Sequence, residues 1–327
     1  MNETFLWHKK RTTVECNVCI NRCSLKKGET GLCGSRRSNG ERIILDTFGK
    51  LAGLEVGKVE DKNVYHFMPD ADTLFVAVKS NWKLPFDEVK KSKKTLQPKE
   101  LVEFAEKKNV RIIFFAGTEP TPNLEYVYRV ARLARRVSIK TLISTVGIMT
   151  EEAFKKISKY VDGILIHFVA TGSETAKKYF NFLNPKQTYK ITRLAYKQHL
   201  HLEIADTVIP QLGDDEAKVK RFAQWIVSEL DGEIPFHLLS FRPSGKLKLL
   251  QKVSLKELKR LAQVAKGAGL RYVYVGNLKE KTELRNTYCY NCRNLLIERK
   301  RDGRVKNKYL QGNYCPYCGV KIKVVIK

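Results

Sequence analysis

Eight cysteines are the residues of this chain whose type and spacing point most directly to chemistry. Four lie in the first tenth of the sequence and four in the last tenth, and the 255 residues between Cys33 and Cys289 contain none. Each group supplies four thiolates, enough to close a tetrahedral site around one soft cation. The long central part of the chain therefore has no cysteine of its own for catalysis or for holding a metal cluster.

The C-terminal cysteines form two Cys-x-x-Cys pairs, each typical of a metal knuckle. Cys289 and Cys292 are separated from Cys315 and Cys318 by 22 residues, which include many basic residues and an Asp-Gly turn. Two knuckles joined by a hairpin are the arrangement of a zinc ribbon, in which backbone N–H groups also stabilise the thiolates. We expect one Zn²⁺ ion here, because so small a lobe has little core of its own.

The N-terminal cysteines, Cys16, Cys19, Cys23 and Cys33, are separated by two, three and nine residues. This spacing suits one ion held by all four thiolates, and zinc is the preferred occupant. Two alternatives stay open: an iron–sulfur cluster on the same residues, or a site in which Cys23 is a core thiol and His8 completes the ligands. With no apolar export signal or membrane span, the pattern indicates metal sites in the cytoplasm and not disulfides.

The net charge of the chain is +27, from 61 Lys+Arg against 34 Asp+Glu. An enzyme that acts on small metabolites seldom needs such a strong positive field, whereas a protein that neutralises phosphates does. A lysine-rich surface suited to high temperature is the alternative, but such surfaces usually gain glutamate together with lysine. The charge therefore favours a nucleic acid as the partner.

Short apolar runs alternate with amphipathic stretches along the middle of the chain, which predicts β/α units and a parallel sheet. The predicted strands are 74–78, 111–115, 141–145, 163–169, 202–209, 236–241 and 271–275. The predicted helices are 124–137, 151–160, 174–182, 185–198, 216–230 and 255–268. Seven strands are too few for a closed eight-stranded barrel, so we expect an open or partial one. The predicted domains are a metal module (1–40), this barrel (41–280) and a zinc ribbon (281–327).

Several segments match one known family in the same order along the chain. They are GLCGSRR (31–37), VYHFMPD (64–70), GTEPTPNLEY (117–126), GIMTEEAFKKISKYVD (147–162), VIPQLGDDE (208–216), FHLLSFRP (236–243), GLRYVYVGN (269–277) and NTYC (286–289). With them the chain resembles the radical SAM enzymes of the AmmeMemoRadiSam system, relatives of pyruvate formate-lyase-activating enzyme. The resemblance implies a partial (β/α)6 barrel. It also implies a CxxxCxxC loop after the first barrel strand, whose [4Fe–4S] cluster binds and cleaves S-adenosylmethionine.

This cluster motif is missing from the chain. Its three cysteine positions are occupied by Ser80, Leu84 and Asp87. None of these is a soft thiolate, and leucine has no ligand atom at all. We therefore expect the radical reaction to be lost and assign no catalytic residue.

One cofactor element of the family is retained, namely Gly117, Glu119 and Pro120. In the family, the matching residues hold the methionine part of S-adenosylmethionine. Without a cluster to anchor that group, we expect Glu119 to serve as a carboxylate that caps its own loop, and S-adenosylmethionine is not an expected cofactor.

The loop that lacks the cysteines is rich in lysine and contains two aromatic residues. Its basic residues are Lys79, Lys83, Lys90, Lys91, Lys93 and Lys94, interleaved with Trp82 and Phe86. The ribbon adds four further cations, Arg299, Lys300, Arg301 and Arg304. Cations beside aromatic rings suit phosphates and stacked bases, so we predict RNA contacts at these residues. A solvated loop that packs its aromatic residues inward is the alternative.

The sequence thus predicts a catalytically inactive radical-SAM-like fold that binds RNA mainly by shape and backbone. A ribosomal subunit is the expected location, with ribosomal RNA as the partner and ribosomal proteins as further contacts. Two other classes stay open. One is an enzyme that still binds S-adenosylmethionine through Glu119, for radical chemistry with an unconventional cluster or for methyl transfer. The other is a scaffold for a protein partner.

Overall fold

The computed structural model describes residues 4–82, 89–172, 177, 180, 182–243 and 248–327. The chain forms two units: the first contains residues 1–57, 72–164 and 186–200, and the second contains 58–71, 165–185 and 201–327. The predicted site residues Lys83, Leu84, Phe86 and Asp87 lie outside the described residues, as does most of the predicted helix 174–182.

Two small antiparallel sheets form the N-terminal module of the first unit. Strands β1 (Trp7–Lys9), β2 (Val14–Cys16) and β3 (Ser24–Leu25) form one sheet, and β4 (Arg36–Ser38) pairs with β5 (Ile43–Leu45). Between them, Gly34 has a φ of +67°, and a Cβ at this position would overlap the side chain of Asn81. The backbone N–H of Asn81 donates to the carbonyl of Cys33 at 3.1 Å, so the module contacts the start of the lysine-rich loop directly.

The rest of the first unit consists of β/α repeats. Its strands are β6 (Leu51–Lys58), β7 (Asp72–Val78), β8 (Ile112–Phe115) and β9 (Lys140–Thr145), which are neighbours in the order β9-β8-β7-β6. Its helices are α1 (Pro98–Lys107), α2 (Leu124–Arg136), α3 (Glu151–Ile157) and α4 (Pro185–Lys197). Strand β8 is parallel to both β7 and β9, and all four of its residues are buried. Continuous apolar runs of this kind are typical of parallel strands covered on both faces.

A buried ion pair joins the N-terminal module to helix α2. The guanidinium of Arg36 donates to both carboxylate oxygens of Glu125, at 2.7 and 2.8 Å, and to the carbonyl oxygens of Pro122 and Phe5. The side chains of Arg36 and Glu125 are only 2% and 1% exposed. Each charge is tolerated in the interior because the other neutralises it and because both Nη atoms of Arg36 donate hydrogen bonds; Nε of Arg36 has no partner within the described residues.

The second unit contains the later β/α repeats and the ribbon. Strands β10 (Gly163–Val169), β11 (His201–Val208), β12 (Phe236–Ser240) and β13 (Val273–Gly276) are neighbours in chain order, with β12 parallel to β11 and β13. Helices α5 (Glu216–Glu229) and α6 (Leu255–Gly267) begin after Asp215 and Ser254, whose side chains accept hydrogen bonds from N–H groups of the first turn. The ribbon is an antiparallel sheet of β14 (Thr287–Tyr288), β15 (Leu295–Arg299) and β16 (Val305–Lys308).

A buried carboxylate fixes the segment 58–71 within the second unit. Glu203 accepts hydrogen bonds from the backbone N–H groups of Tyr65 and His66 and from Nε2 of His201 and His237, at 2.6–3.0 Å. Burial alone would raise the pKa of Glu203, but the two histidines lower it well below its ordinary value. Glu203 is therefore ionised, and its charge orders the backbone of VYHFMPD.

The structure confirms the predicted α/β class with parallel strands. All seven predicted strands are present, and their ends lie within two residues of the prediction. Strand β6 and helix α1 are absent from the predicted elements. The apolar pattern of α1 is weak, because the helix is short and only Leu101, Val102 and Ala105 form its buried face after the initial Pro98. Among the described residues, no helix has both the length and the apolar character needed to cross a membrane.

We expect Glu125→Gln to destabilise the first unit by about 3–5 kcal/mol, because the guanidinium of Arg36 would remain buried without its counter-charge. Urea denaturation followed by hydrogen exchange of β8 and α2 would measure the loss. Asp46→Asn is the matched control, since it removes the carboxylate that pairs with the neighbouring Arg37 at 2.7 Å, where both side chains are 38% exposed. Equal effects of the two substitutions would contradict the structural role given to the buried pair.

Candidate metal centres

The four C-terminal cysteines converge on one point in the ribbon. The Sγ atoms of Cys289 and Cys318 are 3.6 Å apart, as are those of Cys292 and Cys315, and all four lie within 4.8 Å of one another. Four thiolates around a zinc ion, with bonds of about 2.3 Å, would be separated by about 3.8 Å. The ribbon therefore has the donor set and the spacing of a tetrahedral metal site.

The two knuckles of this site have the same backbone geometry. In each, the N–H of the fourth residue after the first cysteine donates back to that cysteine's carbonyl: Arg293 to Cys289 at 3.0 Å and Gly319 to Cys315 at 2.9 Å. Both donors have left-handed backbone, with φ of 64° and 72°. Hydrogen bonds from the backbone and side chain of Asn294 lower the pKa of Cys292 to about 6. The fold thus favours a thiolate before any cation binds.

The four N-terminal cysteines also meet in one place, but less closely. They line one cavity together with Arg36, Trp82 and Pro122. Among the described residues, however, only the ribbon brings three or more ligand atoms within 4.8 Å of one another. A tetrahedral ion in the N-terminal module would therefore require its sulfurs to move together.

Burial governs the chemistry of the N-terminal thiols. It raises the pKa of Cys19 to about 12, and it raises the pKa of Cys33 as well. The nearby cysteines raise the pKa of Cys19 further, because several thiolates in one apolar cavity would repel one another. The thiols of these two residues therefore stay protonated unless a cation enters the cavity.

The start of the lysine-rich loop packs against this module. Trp82 is 6% exposed, its indole lines the cysteine cavity, and its backbone N–H donates to Oγ of Ser80 at 3.1 Å. The burial of this ring agrees with the alternative that the loop packs its aromatic residues inward, and contact of Trp82 with RNA stays a prediction. Ser80 offers a hydroxyl within a turn where the family would have a thiolate, so the described part of this loop does not fit a radical SAM cluster.

Glu119 lies at the end of strand β8 with its carboxylate fully occupied by the protein. It accepts hydrogen bonds from the N–H groups of Thr121 and Val146, at 3.1 and 3.0 Å, and from the hydroxyls of Thr121 and Thr145. Burial raises the pKa of Glu119, whereas these donors lower it in part. The arrangement is that of a carboxylate capping its own loop, and both oxygens are already bonded within the chain.

Arg299 is in the interior of the second unit and not on its surface. Its guanidinium donates to the carbonyl oxygens of Arg285 and Tyr65 and to Oγ1 of Thr287, at 2.8–2.9 Å, and lies 4.1 Å from the Tyr65 ring centroid. The side chain is 4% exposed. The prediction that Arg299 contacts RNA is wrong, because its donors are used to join the ribbon to VYHFMPD.

The other predicted RNA contacts within the described residues have exposed side chains. These are Lys79, Lys90, Lys91, Lys93, Lys94, Lys300, Arg301 and Arg304. Arg304 is paired with both carboxylate oxygens of Asp61 at 2.9 Å. Contact of these residues with RNA remains a prediction.

The fold also brings together two groups of residues that are not among the predicted site residues. One is a row of arginines on α2, whose spacing of three and four residues was a readable signal. The other is a cavity of tyrosines and cations beside the ribbon, formed by residues between 266 and 293. No sequence pattern marks the cavity, because its residues come from a helix, a strand and a metal knuckle.

Comparison with known proteins finds a family match over the middle of the chain. Residues 78–226 match the model of the Radical SAM superfamily. The chain is 28% identical over 340 residues to "Uncharacterized protein MJ0808" of Methanocaldococcus jannaschii, and the match covers 100% of each chain. It is 29% identical over 135 residues to the (2S)-3-sulfopropanediol dehydratase activating enzyme of Klebsiella oxytoca, covering 41% of this chain and 42% of that enzyme.

Among solved structures, the chain is similar to a domain of pyruvate-formate lyase-activating enzyme from Bacteroides vulgatus, with a TM-score of 0.44 and 18% identity. This similarity covers 50% of the present chain and 98% of the other. The match to the Radical SAM superfamily begins at Val78, the last residue of β7, and includes both the lysine-rich loop and Glu119. The resemblance predicted from the sequence is thereby confirmed.

Proposed function

We propose that this radical-SAM-like chain has lost its radical chemistry and binds RNA, with ribosomal RNA as the partner. The loss is supported by Ser80 in place of a cysteine, by the occupied carboxylate of Glu119 and by the location of all eight cysteines in the two terminal modules. RNA as the partner is supported by the net charge of +27 and by the way the structure arranges part of it.

The arginines of helix α2 carry this proposal. Arg129, Arg132 and Arg136 recur at intervals of three and four residues, so they lie on one face of the helix. With Lys99 of α1 they line a groove of about 550 Å³, and no carboxylate is among its lining residues. Lys99 has a partner in Glu103 at 3.6 Å, but none of the three arginines has an acidic partner within the described residues. The groove thus presents cations that an external anion can neutralise.

Aromatic rings hold two of these arginines in place. The guanidinium of Arg129 lies 5.2 Å from the Phe48 ring centroid, and that of Arg132 lies 5.4 Å from Tyr128 and 5.7 Å from Tyr160. Contacts of this kind restrict the side chain and occupy few of its donors. Nη1 of Arg132 donates to Oη of Tyr128 at 3.4 Å, and its other N–H groups can bond phosphate. Less conformational entropy is then lost on binding, which suits recognition of a phosphate backbone.

Lysines between residues 90 and 94 extend this basic surface. Their backbone pairs with β6, since the N–H of Leu54 donates to the carbonyl of Lys90 and that of Leu51 to the carbonyl of Lys94, both at 2.9 Å. Nζ of Lys94 lies 5.3 Å from the ring centroid of Phe104 in α1. The basic segment 90–94 is therefore held beside α1, which also contributes to the groove.

We expect Arg132→Ala combined with Arg136→Ala to weaken binding to ribosomal RNA several-fold. Each lost phosphate contact should also reduce the slope of log affinity against log salt, in total by roughly 1.5–2 for the double variant. Fluorescence anisotropy over a salt series would measure both effects. Sedimentation with ribosomal subunits from native cells would test whether the ribosome is the particle bound.

The control is Arg37→Ala combined with Arg260→Ala, which removes the same charge from arginines already paired with Asp46 and with Glu216 and Glu257. This variant should bind RNA nearly as the unaltered protein does. If affinity for RNA barely changes between low and high salt, the partner is not a nucleic acid. If the two double variants are equally weakened, binding reflects net charge and not the groove.

We further propose that zinc occupies both four-cysteine modules. In the ribbon, the ion would be held by Cys289, Cys292, Cys315 and Cys318, and its binding energy would stabilise a small lobe with three short strands. In the N-terminal module the support is the donor set, since four cysteines line one cavity. Both ions would be structural, because four protein ligands leave no open position for a substrate.

We expect two zinc ions per chain in protein purified from cells, one in Cys292→Ser, and one in Cys19→Ser. Only Cys292→Ser should unfold the ribbon, as loss of hydrogen-exchange protection in β14–β16 would show, so the two variants control for each other. Elemental analysis would measure the zinc and iron content of each variant, and a sulfide assay would measure acid-labile sulfide. Iron and acid-labile sulfide in the protein, retained in Cys292→Ser and lost in Cys19→Ser, would show that the N-terminal module holds a cluster.

A further inference from the structure

The second unit contains a cavity of about 390 Å³ between helix α6, strand β13 and the first knuckle of the ribbon. Its lining combines positive charge with aromatic rings. The polar and aromatic residues that line it are Lys266, Arg271, Tyr272, Tyr274, Asn286, Tyr288, Tyr290 and Arg293. No carboxylate is among them. A cavity of this size is within the range of small-molecule sites, and its charge selects for an anion.

Two cations of the cavity have no counter-charge. Lys266 and Arg293 are exposed, and neither has an acidic partner among the residues that the structure describes. Partial burial and the charge of Arg293 both lower the pKa of Lys266, which shows that the two groups repel each other. Arg271 differs, because it is paired with Glu233 and lies 4.1 Å from the Tyr290 ring centroid. An anion between Lys266 and Arg293 would relieve their repulsion.

A buried hydroxyl in the same lining has no partner. Tyr272 is 3% exposed, and its Oη makes no hydrogen bond within the described part of the chain. An unsatisfied buried hydroxyl is unfavourable, so Oη of Tyr272 points to a partner that a bound ligand can supply. The rings of Tyr288 and Tyr290 are half-buried and border the same space. Tyrosine faces of this kind are surfaces on which a planar ring can stack.

We infer that this cavity binds one nucleotide, with its phosphate between Lys266 and Arg293 and its base against Tyr290 and Tyr288. The hydroxyl of Tyr272 would then gain a hydrogen-bond partner on the ligand. A simple anion such as phosphate would leave the tyrosine faces unused, and an acidic peptide would lack the planar ring. The nucleotide can be free or can be an unpaired residue of the RNA; the second source rests on the proposed function.

The test compares three ligands: adenosine 5′-monophosphate, ribose 5-phosphate, which lacks the base, and a short oligoadenylate. Isothermal titration of the full chain with its bound metal should show binding of the first and third and much weaker binding of the second. Lys266→Gln combined with Arg293→Gln should reduce affinity at least about tenfold, because both phosphate contacts are lost. Tyr272→Phe removes only the hydroxyl and should reduce affinity roughly two- to tenfold.

The matched control is Lys308→Gln combined with Lys321→Gln, which removes the same charge from exposed ribbon residues outside the cavity. It should bind adenosine 5′-monophosphate as the unaltered protein does. Binding of oligoadenylate alone, weakened only by the cavity variants, would identify RNA as the source of the nucleotide. If neither adenylate ligand binds, or if cavity and control variants are equally affected, the inference is wrong. Binding of structured RNA through α2 would then still stand as a separate result.

Discussion

The buried ion pair of Arg36 and Glu125 is the interaction on which the arrangement of the first unit depends. It brings the N-terminal module onto helix α2, because neither charge is tolerable in the interior without the other. The module then lies against Asn81 and Trp82, and the indole of Trp82 forms part of the wall around the four thiols. The Arg36–Glu125 pair thus holds the metal module on α2, and the contacts of Asn81 and Trp82 hold the start of the lysine-rich loop against the same module.

The role of each arginine in this chain depends on the groups that surround its guanidinium. Arg36 and Arg299 are buried and join segments of the chain that are distant in sequence. Their Nη atoms donate hydrogen bonds to carbonyl, hydroxyl or carboxylate oxygens. The arginines of α2 have aromatic rings as neighbours in place of acids, so they keep their charge available to an external phosphate. Arginine therefore either stabilises the interior or presents charge at the surface, according to its local partners.

The ribbon links the four-cysteine site to the cavity beside it in the second unit. Its first knuckle places Arg293 in a left-handed conformation that closes the turn after Cys289, and Arg293 lines the wall of that cavity. Tyr288 and Tyr290 flank Cys289 directly, so their positions also depend on the four-cysteine site. A metal ion bound there would thereby organise the wall of the cavity.

Features that depend on local spacing follow directly from the order of the residues: the two four-cysteine groups, the β/α alternation and the missing cluster motif around Ser80. Periodicity and ligand spacing are local properties, so they are readable along the chain. Burial and pairing are not local, and they become visible only in the folded chain. Arg299 and Trp82 look like binding residues in the sequence, yet they lie in the interior because partners distant in the chain surround them. The cavity at Tyr272 was invisible for the same reason, since its lining residues meet only in the folded chain.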